Sequence, residues 1–139
     1  MIVDPFKNNP GYMLRRASTA SMEKLARRLR TLGLRPSEAT VLWLIDANPH
    51  IRQSEIGRVL NIARANMTPL VARLAKLKLV ERRPADGRSH GMWTTASGCA
   101  LTARIRHALD LHEAELIASI PASHRKGFVA GLRALWPDK

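Results

Sequence analysis

The chain has 139 residues, and 23 Lys and Arg against 11 Asp and Glu give it a formal net charge of +12. Its single cysteine, Cys99, excludes an internal disulfide framework, and no apolar run reaches the roughly 18 residues that a membrane-spanning helix needs. The length predicts one domain, a hydrophobic content of 45% excludes a disordered basic tail, and the basic charge makes a polyanion the first partner to consider.

Apolar residues recur at helical spacing through most of the chain. Met22, Leu25 and Leu29 form one such stripe. Asp86-Gly87 is a hairpin turn signal between two short extended segments, and Thr95 is a candidate N-cap for the helix that follows. In chain order, the predicted elements are helix 12–32, helix 36–48, helix 53–60, helix 63–78, strand 79–83, turn 84–89, strand 90–94, helix 96–119 and helix 123–135.

The middle of this order is typical of a DNA-binding fold. A short helix, a tight turn and a longer basic helix form a helix-turn-helix, and the basic hairpin directly after it is a wing. The predicted fold is therefore mainly α with a small β-hairpin wing. The DNA-binding domain covers residues 36–95. The helices of 1–35 and 96–139 carry apolar stripes that one small domain cannot bury alone, which predicts that they form a homodimer.

Residues 36–98 resemble the MarR family of bacterial transcription regulators. The resemblance lies in the order and spacing of several short motifs. They are Gln53-Ser54-Glu55-Ile56-Gly57, the segment Asn61 to Leu74, Asp86-Gly87-Arg88, and Thr95-Ala96-Ser97-Gly98. The resemblance implies a cytoplasmic dimer that binds a pseudo-palindromic operator. It also implies repression that a small aromatic or anionic effector relieves.

Two residues depart from a regular pattern in the longer basic helix. Lys78 stands where the family commonly has glycine, and a left-handed cap costs a lysine roughly 1 kcal/mol, so we expect a different turn there. The ring of Pro69 would conflict with the carbonyl of Ala65, which predicts a loosened first turn or a kink.

The residues off the apolar stripe of this helix are candidates for the major groove. Arg64 suits guanine and Asn66 suits adenine, although an ordinary solvated face would have a similar pattern. Arg88 at the hairpin tip is the minor-groove candidate, and Asp86 could orient it or act only as a turn residue. Residues at the start of the third helix are phosphate candidates. The predicted DNA-binding set is Arg52, Gln53, Ser54, Arg64, Ala65, Asn66, Thr68, Pro69, Arg73, Arg82, Arg83, Asp86, Arg88 and His90.

An effector pocket, as the resemblance implies it, lies between the dimerisation helices and the winged domain. The cationic first helix favours an anionic ligand, which we expect to be an aromatic carboxylate or its thioester. The alternative is that Trp43 is a core residue and Arg16 a solvated cation. The predicted lining is Met13, Arg16, Ala17, Ala20, Trp43 and His107.

The sequence contains no motif that would indicate catalysis or metal binding. No nucleophile elbow, zinc-protease motif or phosphate loop is present, so we expect neither an enzyme nor a cofactor. His107 and His112 are five residues apart, on different faces of a helix, which predicts no metal site and makes His112 an interface residue. Cys99 is expected to be a lone small residue on a packed helix rather than a redox sensor. A constitutive architectural DNA-binding protein without an effector remains the alternative function.

Overall fold

A computed structural model describes residues 1–87 and 89–136. It confirms every predicted helix and strand to within two residues at each end. The elements are α1 (Pro10–Arg30), α2 (Pro36–Ala47), α3 (Gln53–Leu60), α4 (Arg64–Lys76), β1 (Val80–Pro84), β2 (His90–Thr94), α5 (Ala96–Ala118) and α6 (Arg125–Leu135). A short 3₁₀ turn, Ala122–His124, precedes α6. No helix in this part of the chain has the length and hydropathy needed to cross a bilayer.

Side-chain hydrogen bonds stabilise the N-termini of several of these helices. Glu38 accepts a hydrogen bond from the backbone N–H of Arg35 at 2.9 Å, and Glu55 accepts one from that of Arg52 at 2.8 Å. Each carboxylate thereby satisfies a free donor at a helix N-terminus. Thr95 is the N-cap of α5, as predicted, because its hydroxyl accepts from the N–H of Gly98 at 3.1 Å.

Helix α4 ends in a left-handed turn, so the expectation of a different turn is wrong. Lys78 has φ 59°, and its N–H donates to Ala75 O at 2.9 Å while the next N–H, of Leu79, donates to Leu74 O at 3.0 Å. This is a Schellman motif, with buried Leu79 packed near the helix end. The hydroxyl of Thr95 also donates to the carbonyl of Lys78 at 2.7 Å. These bonds hold the turn despite the strain that a lysine brings.

The same helix runs from Arg64 to Lys76 without interruption across Pro69. Pro69 has no N–H, so the carbonyl of Ala65 lacks its helical partner, but the helix continues on both sides of the proline. Both residues are exposed, where water can bind the free carbonyl.

The hairpin is joined to a third segment that the sequence did not predict. Ile51, between α2 and α3, forms a bridge with Met92 of β2, and the N–H of Met92 donates to Ile51 O at 2.9 Å. Gly91 makes this approach possible, because a Cβ there would lie 2.8 Å from the carbonyl oxygen of His50. The wing is therefore anchored at its base to the start of the helix-turn-helix.

One hydrophobic core holds the winged domain to the end of α1 and the middle of α5. Its fully buried large residues include Leu29 of α1, Ile45 of α2, Leu74 of α4 and Ile105 of α5. By contrast, α6 buries none of its residues, and Leu135 and Trp136 are 68% and 78% exposed. The apolar stripe predicted for the last helix is thus not covered within one chain.

Two residues of α5 make contacts that the sequence did not predict. His112 is buried within the single chain, and its Nε2 lies 3.0 Å from the hydroxyl of Ser21 on α1. Cys99 is exposed, with its Sγ 3.2 Å from the hydroxyl of Thr94. Helical periodicity places residues on faces, but it does not show which face the neighbouring helices cover.

Candidate nucleic-acid interface

A groove of about 800 Å³ lies between α3, the start of α4 and the hairpin. Its walls are the exposed sides of the helix-turn-helix and of the wing, so the fold that the sequence predicts creates it. The lining residues are Arg52, Gln53, Ser54, Gly57, Arg58, Ile62, Arg64, Met67, Thr68, Arg82, Ser89, His90 and Met92.

The charge of this groove has one sign. Among the described residues, four arginines line it: Arg52 just before α3, Arg58 on α3, Arg64 on α4 and Arg82 on β1. Among the described residues of the lining there is no Asp or Glu. Several guanidinium groups around one open groove produce a local positive potential, and each can donate to a phosphate or to guanine. The groove is therefore suited to a polyanion.

Seven of the predicted DNA-binding residues line this groove. They are Arg52, Gln53, Ser54, Arg64, Thr68, Arg82 and His90. Ala65, Asn66 and Pro69 are exposed on α4 but do not line it. The first turns of α3 and α4 thus both face the groove.

Arg58 lines the groove but is absent from the predicted set. It lies four residues after Ser54, one helical turn along the same face of α3. The periodicity that gave the apolar stripe of α3 could have identified it, whereas the prediction considered only the start of this helix.

Arg73 has a different place from the one predicted. Its Nε lies 2.6 Å from Oε1 of Glu38, which is buried at the start of α2. Glu38 also accepts the Arg35 N–H, so both of its carboxylate oxygens are bound. Arg73 neutralises a buried carboxylate and does not line the groove, because it is more than two turns beyond Arg64.

Arg83, also in the predicted DNA-binding set, lies on a different face of the hairpin from Arg82. Adjacent strand residues point to opposite faces. Arg82 faces the groove, while the guanidinium of Arg83 lies 5.0 Å from the ring centre of Trp93 and forms an ion pair with Glu81. Arg83 therefore belongs to the opposite face of the hairpin.

At the hairpin tip the structure describes only part of the predicted pair. The carbonyl of Asp86 accepts hydrogen bonds from the N–H of Ser89 at 3.1 Å and from its hydroxyl at 2.9 Å. Asp86 thus has a turn role. Arg88 lies outside the described residues.

A second, smaller cleft of about 130 Å³ lies between α1 and α5. Its lining is Ala17, Ala20, Ser21, Lys24, His112, Glu115, Leu116 and Ser119. Of the predicted effector residues, only Ala17 and Ala20 are among them. Within one chain, the other four predicted residues lie elsewhere: Met13 and His107 are exposed, Arg16 lies near the ring of Tyr12, and Trp43 lies under the guanidinium of Arg106.

One ion pair borders this cleft. Nη2 of Arg28 on α1 lies 2.7 Å from Oε1 of Glu115 on α5. The hydrogen bond and charge of Arg28 lower the pKa of Glu115 below its usual 4.5. In the described part of the chain, no three His, Cys, Asp or Glu residues are grouped so that they could hold a metal ion.

Comparisons with known proteins agree with this geometry. A family model described as the MarR family matches residues 32–89. A Thauera aromatica protein is 26% identical over 129 residues, which cover 91% of this chain and 78% of that protein. Its name describes it as a transcriptional regulatory protein for the hcr operon.

Two solved structures of the transcriptional repressor CouR are similar along almost the whole chain. One, bound to p-coumaroyl-CoA, has a TM-score of 0.88 and 26% identity, and covers 100% of this chain and 99% of that chain. The other, bound to a 23-mer DNA duplex, has a TM-score of 0.86 and 29% identity, and covers 97% of each chain.

Proposed function

We propose that the chain is a winged helix-turn-helix regulator of the MarR family, a dimeric transcriptional repressor that a small effector releases from its operator. The observation that carries the proposal is the groove that four arginines line between α3, α4 and the wing. Its position is that of the DNA-binding surface in a winged helix-turn-helix, and the similarity to CouR bound to DNA supports it. A regulator of this kind would work in the bacterial cytoplasm.

The proposed contacts divide by type. Arg64 and Asn66, at the start of α4, would contact base edges in the major groove, while Arg52 and Arg58 would contact phosphates. The remaining proposed contacts are Gln53, Ser54, Ala65, Thr68, Pro69, Arg82, His90 and, from the sequence alone, Asp86 and Arg88. Arg73 and Arg83 no longer belong to the proposed set, since both are engaged elsewhere.

The proposed dimer follows from the surface that the single chain leaves uncovered. Helix α6 and the first half of α1 bury almost nothing, and Leu132, Leu135 and Trp136 remain exposed. Residues 1–35 and 96–139 would form the dimerisation region, and residues 36–95 the DNA-binding domain. Two such domains, with recognition helices about 34 Å apart, would contact successive major grooves on one side of the DNA.

We propose an aromatic carboxylate or its CoA thioester as the effector. The full-length similarity to CouR bound to p-coumaroyl-CoA supports this class, and the cationic α1 suits a carboxylate or the phosphates of CoA. The cleft beside Ala17 and Ala20 is smaller than the roughly 300–1,000 Å³ of most ligand pockets. A second protomer would therefore have to complete the site.

Selection of bound DNA from a random pool at about 150 mM salt tests the DNA-binding half of the proposal. We expect a pseudo-palindrome with half-sites one helical turn apart, bound at least about 10³-fold more tightly than bulk DNA. Enrichment of A·T content alone would contradict the proposal and favour the architectural alternative, which neither the fold nor the relatives support.

Release from the selected operator tests the effector half. A hydroxycinnamate, its CoA thioester and CoA alone should be titrated against the protein–operator complex. We expect release by the acid or by the thioester but not by CoA alone. The variant Ala20→Leu, which fills the cleft, should keep operator affinity and lose the response. Release by none of the three would exclude this effector class.

A further inference from the structure

One chain of hydrogen bonds joins the wing to both helices of the helix-turn-helix. Arg82 on β1 donates from Nη2 to Oε1 of Gln53 on α3 at 2.8 Å. Gln53 donates from Nε2 to the hydroxyl of Thr68 on α4 at 3.3 Å, and this hydroxyl lies 3.4 Å from the carbonyl of Arg64. Three elements that are distant in sequence are thus connected through a single side-chain amide.

The donors and acceptors allow only one direction for this chain. An arginine can only donate, so the amide oxygen of Gln53 must face Arg82 and the amide nitrogen must face Thr68. The Thr68 hydroxyl accepts from that nitrogen and donates its own proton to the Arg64 carbonyl. Because the amide of Gln53 is neutral, this bond does not offset the positive charge of Arg82. The other N–H donors of the guanidinium take no part in it.

We propose that Gln53 is a positioning residue, which holds the wing arginine Arg82 against the recognition helix in the arrangement that binds DNA. This role rests on the proposed function and replaces the earlier assignment of Gln53 as a phosphate contact. A free arginine side chain loses much rotamer freedom when it binds a phosphate, whereas one already held loses less. Gln53 would therefore raise DNA affinity without bearing a charge.

The choice of an amide at position 53 has a physical reason. A carboxylate would hold Arg82 more strongly, but it would add a negative charge to a groove that faces phosphates. The opposite face of the hairpin has that arrangement: Arg83 is paired with the carboxylate of Glu81 and is neutralised. These two adjacent arginines can therefore be compared directly, because Arg82 faces the groove and Arg83 lies on the opposite face of the hairpin.

The test is a double-mutant cycle on the selected operator with the full-length protein. We expect Arg82→Ala to weaken binding about 10-fold and to reduce the slope of log Kd against log salt by about 0.9, the value for one phosphate charge. Gln53→Met removes both amide hydrogen bonds but no charge. It should weaken binding about 3- to 10-fold and reduce the salt slope by less than Arg82→Ala does. The double variant should be no more than about twofold weaker than Arg82→Ala.

The controls separate positioning from direct contact and from folding. Arg83→Ala removes the same charge from the opposite face and should change Kd by less than about twofold. Gln53→Glu should keep Arg82 ordered yet bind DNA more weakly than the wild type. Independent, multiplicative losses from Gln53→Met and Arg82→Ala, or no loss from Gln53→Met, would overturn the proposal. Thermal unfolding should be unchanged in every variant.

A measurement on the free protein tests the positioning role of Gln53 separately from the proposed function. ¹⁵N relaxation of the Arg82 Nε–H should report an ordered side chain in the wild type and a disordered one in Gln53→Met. If Arg82 is disordered in both, the positioning role is wrong even when DNA binds. If Arg82 is ordered by Gln53 but no operator is found, the proposed function fails instead.

Discussion

Gly98 is the residue that brings the start of α5 against the end of α4. A Cβ at this position would overlap the carbonyl oxygen of Leu79, which is backbone and cannot move aside. The N–H of Thr95 donates to the same carbonyl at 3.0 Å. Glycine is required here for close approach rather than for an unusual φ.

The variant Gly98→Ala should therefore be strongly destabilised. We expect the free energy of unfolding to fall by at least about 2 kcal/mol, since the overlap can be relieved only by separating two buried backbone segments. Gly11→Ala is the matched control: nothing lies within 4 Å of a Cβ there, and the change should stay below about 1 kcal/mol. Chemical denaturation measures both, and equal stabilities would contradict the packing described.

Glu115 provides a pH-dependent contact between α1 and α5. Arg28 lowers the pKa of this carboxyl in the folded protein, so the ion pair stabilises the fold above the unfolded pKa of about 4.5. That contribution is lost as the pH falls through the lower, folded value. We expect an NMR titration to place the Glu115 pKa below 4.5 and Arg28→Ala to return it towards 4.5. A wild-type value at or above 4.5 would exclude the ion pair in solution.

At the scale of elements, the groove is shared by helices with different proposed tasks. The N-terminal turn of α4 presents Arg64, while Arg52 lies at the N-cap of α3 and Arg58 lies on that helix. A side chain at the start of a recognition helix reaches base edges, whereas a helix crossing the backbone reaches phosphates. The two sets of arginines should therefore respond differently to substitution.

We expect Arg64→Ala to alter the preferred base at one position of each half-site, at a cost of about 1–3 kcal/mol on the preferred sequence. Arg58→Ala should weaken all sequences alike and lower the salt slope by about 0.9. Repeating the DNA selection and the salt titration with each variant measures both effects. A uniform loss from Arg64→Ala would reassign that residue to the phosphates.

At the scale of the whole molecule, the described chain divides into a packed part and an uncovered part. The winged domain, the end of α1 and most of α5 share one core. Helix α6 instead presents Leu132 and Leu135 on one side, followed by Trp136. An exposed apolar patch at a helix end is typical of an association surface.

Leu135→Glu should therefore convert the proposed dimer to monomers, because it would bury a charge in that surface. Sedimentation should show a monomer of 15.5 kDa with unchanged helix content by circular dichroism. Operator affinity should fall by at least 100-fold, since a monomer binds only one half-site. Arg133→Gln, a substitution on the same helix, is the control. A wild-type monomer would contradict the proposed dimer directly.

Much of this protein is determined by local sequence. Helical and strand periodicities, the Asp86-Gly87 turn and the Thr95 cap predicted the helices and strands, because each signal acts over a few residues. Much of the basic groove was also predictable, since helix-turn-helix and wing positions follow from the order of elements. The resemblance to the MarR family rests on the same local motifs.

The tertiary structure alone decided which partner each side chain has. Arg73 neutralises Glu38, Arg83 lies beside Trp93 of the partner strand, and His112 binds Ser21, all through contacts between segments that are distant in sequence. Lys78 adopts the strained turn because Thr95, 17 residues later, holds its carbonyl. Gln53 acquires its proposed role in the same way. Periodicity places a residue on a face, but the packing of distant segments determines what that face meets.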